Sequence, residues 1–451
     1  MPRGEKAEEP AAFAGLIEKA GLGGTVTFAV ADAETGEFIE RYNHRARLAP
    51  ASVAKAATAY YALERLGPGF RYETRLRATG PIANGRIDGD LVLEGTGDPT
   101  FDSDDLGDMF KALKEAGVRE VSGAFRLKPD ALPALPWIDP DQPVQVAYNP
   151  AISGLNLNFN RVHFEWTKAK EGYDITMQAR AIRYRPAVSI ATMALEDRRT
   201  PVYTYEKGPN ADQWTVAERA LGNNGARWLP ISRPEAYVRD VSLTIARSHG
   251  IVLKSGPNVV GPAKGEVLVT HLSRPLNDML TGMLRYSTNL TAEAVGLTAS
   301  IAGGARPASL IRSAREMNGW LGDVCGTRTT GFVDHSGLGY GSRVGAEDMV
   351  RILLNARQRG DRLKALLRDF RSDVPGVKAK TGTLNFVSGL AGYIEVPRGR
   401  DLVFAIFTGD LARRDAVEVA MRERPPGSRP WARRSRALQQ DLIARWASLA
   451  A

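Results

Sequence analysis

A serine and a lysine three positions apart, Ser52 and Lys55, are the first residues of this chain whose types and spacing suggest chemistry. Residues three apart share one face of a helix, so the lysine amine can reach the serine hydroxyl. The hydroxyl becomes a good nucleophile when a neighbouring base removes its proton. Lysine acts as that base once burial or a second cation lowers its pKa from about 10.4 toward neutrality. Taken alone, the pair can also be a helix-capping serine followed by an exposed lysine.

A second pattern, Ser287-Thr288-Asn289, follows a stretch with helical periodicity. A hydroxyl and an amide two residues apart suit a loop in which both groups face one cleft. We expect Ser287 to relay a proton to a leaving amine and Asn289 to hold a substrate amide. The alternative is that these residues only cap the helix that follows them.

A third pattern, Lys380-Thr381-Gly382-Thr383, lies in a strand-like run of the chain. Lys380 and the hydroxyls of Thr381 and Thr383 can bind a terminal carboxylate at an exposed strand edge. Gly382 allows another backbone or a ligand to approach closely. The Thr383 N–H can join that of Ser52 to form an oxyanion hole. The alternative is an ordinary solvated strand.

Helical and strand-like stretches surround these patterns in an order that indicates one interrupted α/β domain. Residues 25–30 and 37–42 alternate in polarity around a turn and predict a β-hairpin. A helix is predicted between Pro50 and Gly67, with the serine of the first pattern at its start. The later stretches are helices from residue 275, at 307–321 and at 346–356, strands at 376–384, 388–396 and 401–410, and a closing helix with an apolar stripe of Leu438, Leu442, Trp446 and Leu449.

Between these stretches, residues 72–259 show short strands, many turn residues and one clear helix at 104–116. The glycines and proline of GPAKG make a suitable linker at the end of this region. We therefore predict a discontinuous catalytic domain at 1–68 and 263–451. The inserted β-rich region at 69–262 is long enough to form two subdomains.

Composition excludes several functional classes. The 451-residue chain has a formal net charge of +9, but its charges are interspersed and no nucleic-acid motif accompanies them, so no nucleic-acid partner is expected. Cys325 is the only cysteine and the five histidines are scattered, so we expect neither a disulfide nor a metal site. No stretch is apolar enough for a transmembrane segment. Residues 1–10 lack the basic-then-apolar character of a secretory signal.

The three patterns occur once each, in the order found in penicillin-binding proteins and class A β-lactamases. The sequence resembles the low-molecular-mass penicillin-binding proteins that act as D-Ala-D-Ala carboxypeptidases and endopeptidases, in the subgroup with inserted domains. Further similar stretches are GDLVLEGTGDPTF (89–101), NLTAE (289–293), SGLGYGSRV (336–344) and SGLAGY (388–393). The resemblance implies a multi-domain α/β fold with a β-lactamase/transpeptidase-like core, in which helices flank an antiparallel sheet and a β-rich insertion interrupts the chain.

The resemblance also implies a role for each pattern. Ser52 attacks the carbonyl between two D-alanines with Lys55 as base, and water releases the acyl-enzyme. Ser287 and Asn289 assist leaving-group protonation and substrate orientation, while Lys380 and the two threonines after it bind the terminal carboxylate. No metal or organic cofactor is implied. The partners implied are peptidoglycan peptides with D-Ala-D-Ala termini or cross-links, and β-lactams as covalent inhibitors, which indicates the periplasm or cell envelope.

The second pattern departs from the family, because Thr288 stands where aspartate is common. We expect its side chain to point away from the cleft, so that the pattern keeps its role.

Two alternatives stay open: a β-lactamase or esterase on the same core, and a non-catalytic peptidoglycan-binding protein. The large insertion argues against the first, and the intact Ser52, Lys55 and Lys380 argue against the second. The sequence does not decide between carboxypeptidase and endopeptidase preference.

Overall fold

The computed structural model describes residues 13–451, so residues 1–12, including the chain start considered above, lie outside the described residues. Helices and strands are mixed throughout. The helices are α1 (Ala14–Ala20), α2 (Ala54–Leu66), α3 (Ser103–Glu115), α4 (Pro234–Ser248), α5 (Leu276–Tyr286), α6 (Asn289–Ala302), α7 (Leu310–Cys325), α8 (Ala346–Gln358), α9 (Arg362–Leu366), α10 (Leu411–Asp415) and α11 (Ser428–Ala450). The strands are β1 (Thr25–Asp32), β2 (Phe38–Tyr42), β3 (Glu73–Ala78), β4 (Ile82–Ala83), β5 (Arg86–Ile87), β6 (Leu91–Gly95), β7 (Glu120–Val121), β8 (Phe125–Lys128), β9 (Arg161–Lys168), β10 (Tyr173–Gln178), β11 (Ala191–Glu196), β12 (Tyr203–Lys207), β13 (Asp212–Ala217), β14 (Asn224–Pro230), β15 (Glu266–Leu272), β16 (Val377–Leu384), β17 (Val387–Ile394) and β18 (Leu402–Gly409).

Contacts between residues divide the chain into two compact units. Among the described residues, the first comprises 13–61 together with Leu284–Ser287 and Ala314–Ala451. The second comprises Ala62–Met283 and Thr288–Ser313, and it contains the whole of the predicted insertion. The domain boundaries inferred from the sequence stay a prediction.

The first unit is built on a five-stranded antiparallel sheet in the order β16-β17-β18-β1-β2. Both β17 and β18 are buried along their whole length. Residues an odd number apart on a strand point to opposite faces. On one face Tyr393 donates a hydrogen bond to the Leu353 carbonyl of α8, and on the other Ser388 accepts one from Gln439 of α11. Helices therefore cover both faces of the central strands, which explains their continuous apolar sequence.

The core of the first unit lies between the sheet and the closing helix. The indole ring of Trp446 packs against Phe28 and Phe404, with ring centroids 5.5 and 5.9 Å apart. Leu438 and Leu442 of the predicted apolar stripe are buried with it. Leu449 is 44% exposed, so the stripe ends before the last turn. The predicted hairpin, the three late strands and the closing helix are all confirmed.

The second unit contains four smaller sheets, of which the largest has the order β15-β3-β6-β8. Its core gathers apolar side chains from these sheets and from α3 and α4. The start of α3 is fixed by a capping box between Asp102 and Asp105. Within residues 72–259 the sequence pattern predicts α3 but not α4. Val238, Val241 and Ile245 bury its inner face, and their branched side chains weaken the helical signal in the sequence.

None of the helices in residues 13–451 is both long and apolar enough to cross a membrane. The mixed α/β architecture with an antiparallel main sheet confirms the predicted fold class.

Candidate active site

Ser52 lies in a tight turn at the beginning of a helix. The turn is a short 3₁₀ helix, Ala51–Val53, that continues directly into α2. Ala51 has a positive φ of 48°, an unfavourable conformation for a residue with a Cβ atom. The N-cap residue, Pro50, makes no side-chain capping bond. Ser52 therefore does not act as the N-cap of this helix, and the residue is only partly buried.

Lys55 is completely buried one turn further along, contrary to the alternative of an exposed lysine. Its Nζ lies 3.0 Å from the Oγ of Ser52, as the spacing of three predicts. The same Nζ donates a hydrogen bond to the carbonyl oxygen of Ser336 at 2.7 Å. Two contacts thus hold the amine beside the serine hydroxyl.

The loop that supplies this carbonyl is organised by Asp334, which is not among the residues predicted from the sequence. Its buried carboxylate accepts hydrogen bonds from the backbone N–H groups of Gly337 at 2.9 Å and Gly339 at 2.5 Å. Burial raises the pKa of Asp334, while these N–H groups and the charge of Lys55 oppose that shift. The sequence marks the following stretch, 336–344, only by its family resemblance. Asp334 precedes it, and no local pattern marks a buried loop carboxylate.

Lys380 and Ser287 meet although 93 residues separate them in the chain. The Nζ of Lys380 donates to the Oγ of Ser287 at 2.5 Å and to the carbonyl of Thr381 at 2.8 Å. Lys380 is 2% exposed, so it is not part of an ordinary solvated strand. Burial and the nearby charge of Lys55, together with that of Arg368, lower the pKa of Lys380 to about 6. Ser287 itself has a positive φ of 56°.

Gly382 explains how strand β16 approaches the serine turn. A Cβ atom at this position would lie 2.6 Å from the Pro50 carbonyl oxygen and 3.0 Å from the backbone nitrogens of Ser52 and Val53. Only glycine leaves room for this approach. The backbone that packs closely against Gly382 is the turn that carries the serine, and the role of Gly382 in substrate binding stays a prediction.

The outer edge of β16 is open at its end nearest this turn. Phe370 donates its N–H to the Val377 carbonyl, and Ala379 donates its N–H to the Arg368 carbonyl. Backbone groups on an antiparallel strand alternate between its two edges. The backbone N–H and C=O groups of Thr381 and Thr383 therefore point to the same outer edge as those of Ala379. Among the described residues, no backbone hydrogen bond from another segment covers the edge beyond Ala379. The half-buried Thr381 and exposed Thr383 therefore border a place where an extended peptide can bind.

Asn289 belongs to the second unit, whereas the other predicted site residues belong to the first. Its Nδ2 donates a hydrogen bond to the carbonyl of Tyr148 at 2.8 Å. Thr288 occupies the N-cap position of α6 but makes no side-chain bond to the helix backbone. Its hydroxyl instead donates to the hydroxyl of Thr291. Capping therefore does not account for the second pattern.

Within the first unit, the structure brings together all the predicted site residues of that unit, namely Ser52, Lys55, Ser287, Lys380, Thr381, Gly382 and Thr383. Within residues 13–451, no three His, Cys, Asp or Glu side chains are grouped closely enough to hold a metal ion. These residues offer a hydroxyl beside a buried amine, a second buried amine and an open strand edge.

Comparison with protein families gives one match that spans most of the chain. A model of the D-Ala-D-Ala carboxypeptidase 3 (S13) family matches residues 11–423. The D-alanyl-D-alanine carboxypeptidase DacB of Haemophilus influenzae is 25% identical over 429 residues, which cover 88% of each chain. The D-alanyl-D-alanine carboxypeptidase of an Actinomadura species is 28% identical over 463 residues, which cover 90% of this chain and 83% of the relative.

Solved structures show the same fold. The crystal structure of penicillin binding protein 4 (dacB) from H. influenzae aligns with a TM-score of 0.76 at 23% identity, covering 88% of this chain and 93% of the other. A structure of that protein complexed with a novel β-lactam aligns with a TM-score of 0.74, with the same identity and coverage.

Proposed function

This chain belongs to the D-Ala-D-Ala carboxypeptidase 3 (S13) family, and from that premise we propose that Ser52 is the nucleophile of a serine-type peptidase acting on peptidoglycan stem peptides. The observation that carries the assignment is the 3.0 Å distance between the Oγ of Ser52 and the Nζ of the fully buried Lys55. The bond cleaved lies between two D-alanines. No metal or organic cofactor takes part in the steps that follow.

Acylation begins when Lys55 takes the proton of the Ser52 hydroxyl. The oxygen then attacks the carbonyl carbon of the penultimate D-alanine. A tetrahedral intermediate forms, and the backbone N–H groups of Ser52 and Thr383 stabilise its negative oxygen. The close packing of Gly382 on the turn supports this arrangement, because it draws the two backbones together. The carbonyl of Ser336 supports the first proton transfer, since it orients the Lys55 amine.

Collapse of the intermediate breaks the C–N bond and leaves an ester on Ser52. The departing amine needs a proton, which the hydroxyl of Ser287 delivers. The hydrogen bond from Lys380 to that hydroxyl supports this relay, since the lysine can resupply the proton. Asn289, two residues further along the chain, orients the substrate amide. Water then attacks the ester and passes a proton through Ser287 to the now neutral Lys380, while Lys55 returns its proton to Ser52 as the acid is released.

The terminal carboxylate of the substrate binds at the open end of β16. Lys380 in its protonated form supplies the charge, and the hydroxyls of Thr381 and Thr383 supply hydrogen bonds. The uncovered backbone of this edge supports the assignment, because an extended peptide can add to it as a further strand.

β-Lactams are proposed to acylate the same serine, and a complex of the H. influenzae relative with a β-lactam supports this. The substrate implies that the protein works in the periplasm or cell envelope.

The test compares the wild-type protein with Ser52→Ala in two assays. The first measures D-alanine release from a pentapeptide ending in D-Ala-D-Ala, and the second measures cleavage of a cross-linked stem-peptide dimer. Wild type is expected to act in at least one assay and to be labelled covalently by a fluorescent penicillin. Ser52→Ala is expected to lose turnover and labelling with little change in its unfolding temperature. Penicillin labelling of Ser52→Ala at another serine would contradict the assignment.

A further inference from the structure

The loop of residues 333–342 packs directly against the serine turn. Gly337 has a positive φ of 74°, and a Cβ atom there would lie 1.9 Å from the Ala51 carbonyl oxygen. Only glycine satisfies both conditions. Just beyond the loop, Leu48 and Val344 exchange two backbone hydrogen bonds of 3.1 and 2.9 Å. Backbone contacts therefore fix the position of the loop beside the serine.

Helix α2 holds the same loop through two side chains that lie one turn apart. The Thr58 hydroxyl donates to the His335 carbonyl at 2.6 Å, and the Lys55 amine donates to the next carbonyl, that of Ser336, at 2.7 Å. The spacing of three places both donors on one face of the helix. His335 is uncharged at neutral pH, because burial lowers the pKa of its imidazole to about 3. Of the four residues in this contact, Lys55 is therefore the one that can carry a charge.

The peptide group between Ser336 and Gly337 is engaged at both of its polar ends. Its C=O accepts the bond from Lys55, and its N–H donates to the Asp334 carboxylate at 2.9 Å. In a trans peptide these two groups point in opposite directions, so the amine and the carboxylate lie at opposite ends of one dipole. Hydrogen bonds in such a chain polarise one another. The carboxylate therefore makes the carbonyl oxygen more negative, which favours the protonated form of the amine.

The Asp334 side chain has the contacts of an ionised carboxylate. It is 2% exposed, and both of its oxygens accept hydrogen bonds from neutral donors. These donors are the N–H groups of Gly337 and Gly339, at 2.9 and 2.5 Å, and the hydroxyl of Ser342 at 3.3 Å. Burial raises the pKa of Asp334, but these bonds and the charge of Lys55 oppose that shift. The loop thus keeps a negative charge in place behind the peptide group.

From these contacts we infer that Asp334 is a positioning residue of the acylation step, which acts on Lys55 through the Ser336–Gly337 peptide group. The inference rests on the proposed function, in which Lys55 takes the proton of Ser52. With that proton the amine becomes a cation that repels Lys380 of β16. The fixed charge of Asp334 offsets this repulsion, while the carboxylate itself takes up no proton. The aspartate of a Ser-His-Asp triad supports its base in a similar way, but without an intervening peptide group.

The test compares wild type with Asp334→Asn in the rate constant of acylation by a saturating fluorescent penicillin, between about pH 5 and 9. Saturation removes the effect of Lys380 on binding of the penicillin carboxylate. The wild-type rate is expected to rise with pH as Lys55 loses its proton. Without the charge of Asp334 the protonated amine is less stable, so the half-maximal pH should fall by about one unit. The maximal rate should fall about threefold or more, because Lys55 is then a weaker base.

Thr58→Val is the matched control, because it removes a neutral hydrogen bond between the same helix and the same loop. This variant is expected to acylate more slowly without any change in its half-maximal pH, as a purely structural loosening requires. An unchanged half-maximal pH in folded Asp334→Asn, or an equal shift in both variants, would overturn the inference. Wild type that penicillin does not acylate would instead contradict the proposed function.

A measurement on the wild-type protein keeps the test independent of whether Asp334→Asn folds. In protein labelled with ¹⁵N-glycine, the amide resonances of Gly337 and Gly339 are followed over the same pH range by NMR. Gly339 donates to the second oxygen of Asp334, so both amides are expected to shift with the midpoint of the acylation rate. The amide of Gly319, within α7, should not respond at that midpoint. A Gly339 amide that ignores this ionisation would show that Asp334 is not coupled to Lys55.

Discussion

The Nζ of Lys380 lies 2.5 Å from the Oγ of Ser287 and belongs to a side chain that is almost completely shielded from solvent. This pair joins the serine of the second sequence pattern to the lysine of the third, and it places a titratable amine beside the open end of β16. The chemistry of the site should therefore depend on whether Lys380 carries its proton.

The first prediction concerns pH. Because the pKa of Lys380 is lowered to about 6, the neutral amine predominates above that pH. A substrate carboxylate prefers the protonated amine, so binding above pH 6 must take up a proton. KM for a peptide with a free terminal carboxylate is expected to rise with pH above about 6, approaching about tenfold per pH unit. Steady-state kinetics between about pH 5.5 and 8 measure this.

Lys380→Arg provides the control for that experiment. Arginine stays charged throughout this range, so the pH dependence of KM should disappear whatever the absolute rate. A peptide amide, which lacks the carboxylate, should show no such trend with the wild-type protein. If the arginine variant kept the wild-type slope, another group would have to be responsible for it.

A second prediction separates the two lysines. Lys55→Arg preserves a charge but cannot accept the proton of Ser52, so the acylation rate is expected to fall by about 10²–10⁴-fold. Lys380→Arg keeps a cation for the carboxylate and should lose less. Stopped-flow acylation by a fluorescent penicillin compares the two variants directly. Equal losses would show that the roles of the lysines are not divided in this way.

The third prediction tests the close approach of β16 to the serine turn. Gly382→Ala places a methyl group 2.6 Å from the Pro50 carbonyl oxygen, so the turn or the strand must move. A displacement of about 1 Å at Ser52 is expected to slow acylation by about 100-fold. Gly319→Ala is the matched control, because nothing lies within 4 Å of a Cβ atom there and Gly319 lies within α7. That variant should keep its acylation rate and unfold at the same or a slightly higher temperature.

The fourth prediction concerns the closing helix. Trp446 is 1% exposed, donates its Nε1–H to the Glu40 carboxylate at 2.9 Å and packs on Phe28. Trp446→Ala is expected to lower the free energy of unfolding by about 3–5 kcal/mol. Leu449→Ala, on the same helix but largely exposed, should change it by no more than about 0.5 kcal/mol. Denaturant titration measures both, and similar losses would argue that α11 does not pack as described.

The sequence by itself determined the features that depend on local periodicity. Three-residue spacing places Ser52 and Lys55 on one helix face, and alternating or continuous apolar runs define β1, β2 and the strands β16 to β18. Gly382 could also be recognised, because a glycine inside a strand often marks a close backbone approach. These inferences hold because the side-chain directions of a helix or a strand repeat every few residues. That periodicity does not depend on distant parts of the chain.

Only the tertiary structure decided which distant groups meet and how much water they keep. The bond between Lys380 and Ser287 and the bond from Lys55 to the Ser336 carbonyl join separate segments, and the Asp334 carboxylate fixes the loop that carries Ser336. The lowered pKa of Lys380 follows from burial among those segments, which no spacing along the chain encodes. Contacts and desolvation depend on the packing of the whole unit, and for that reason the predicted residues could be named from the sequence while their electrostatic state could not.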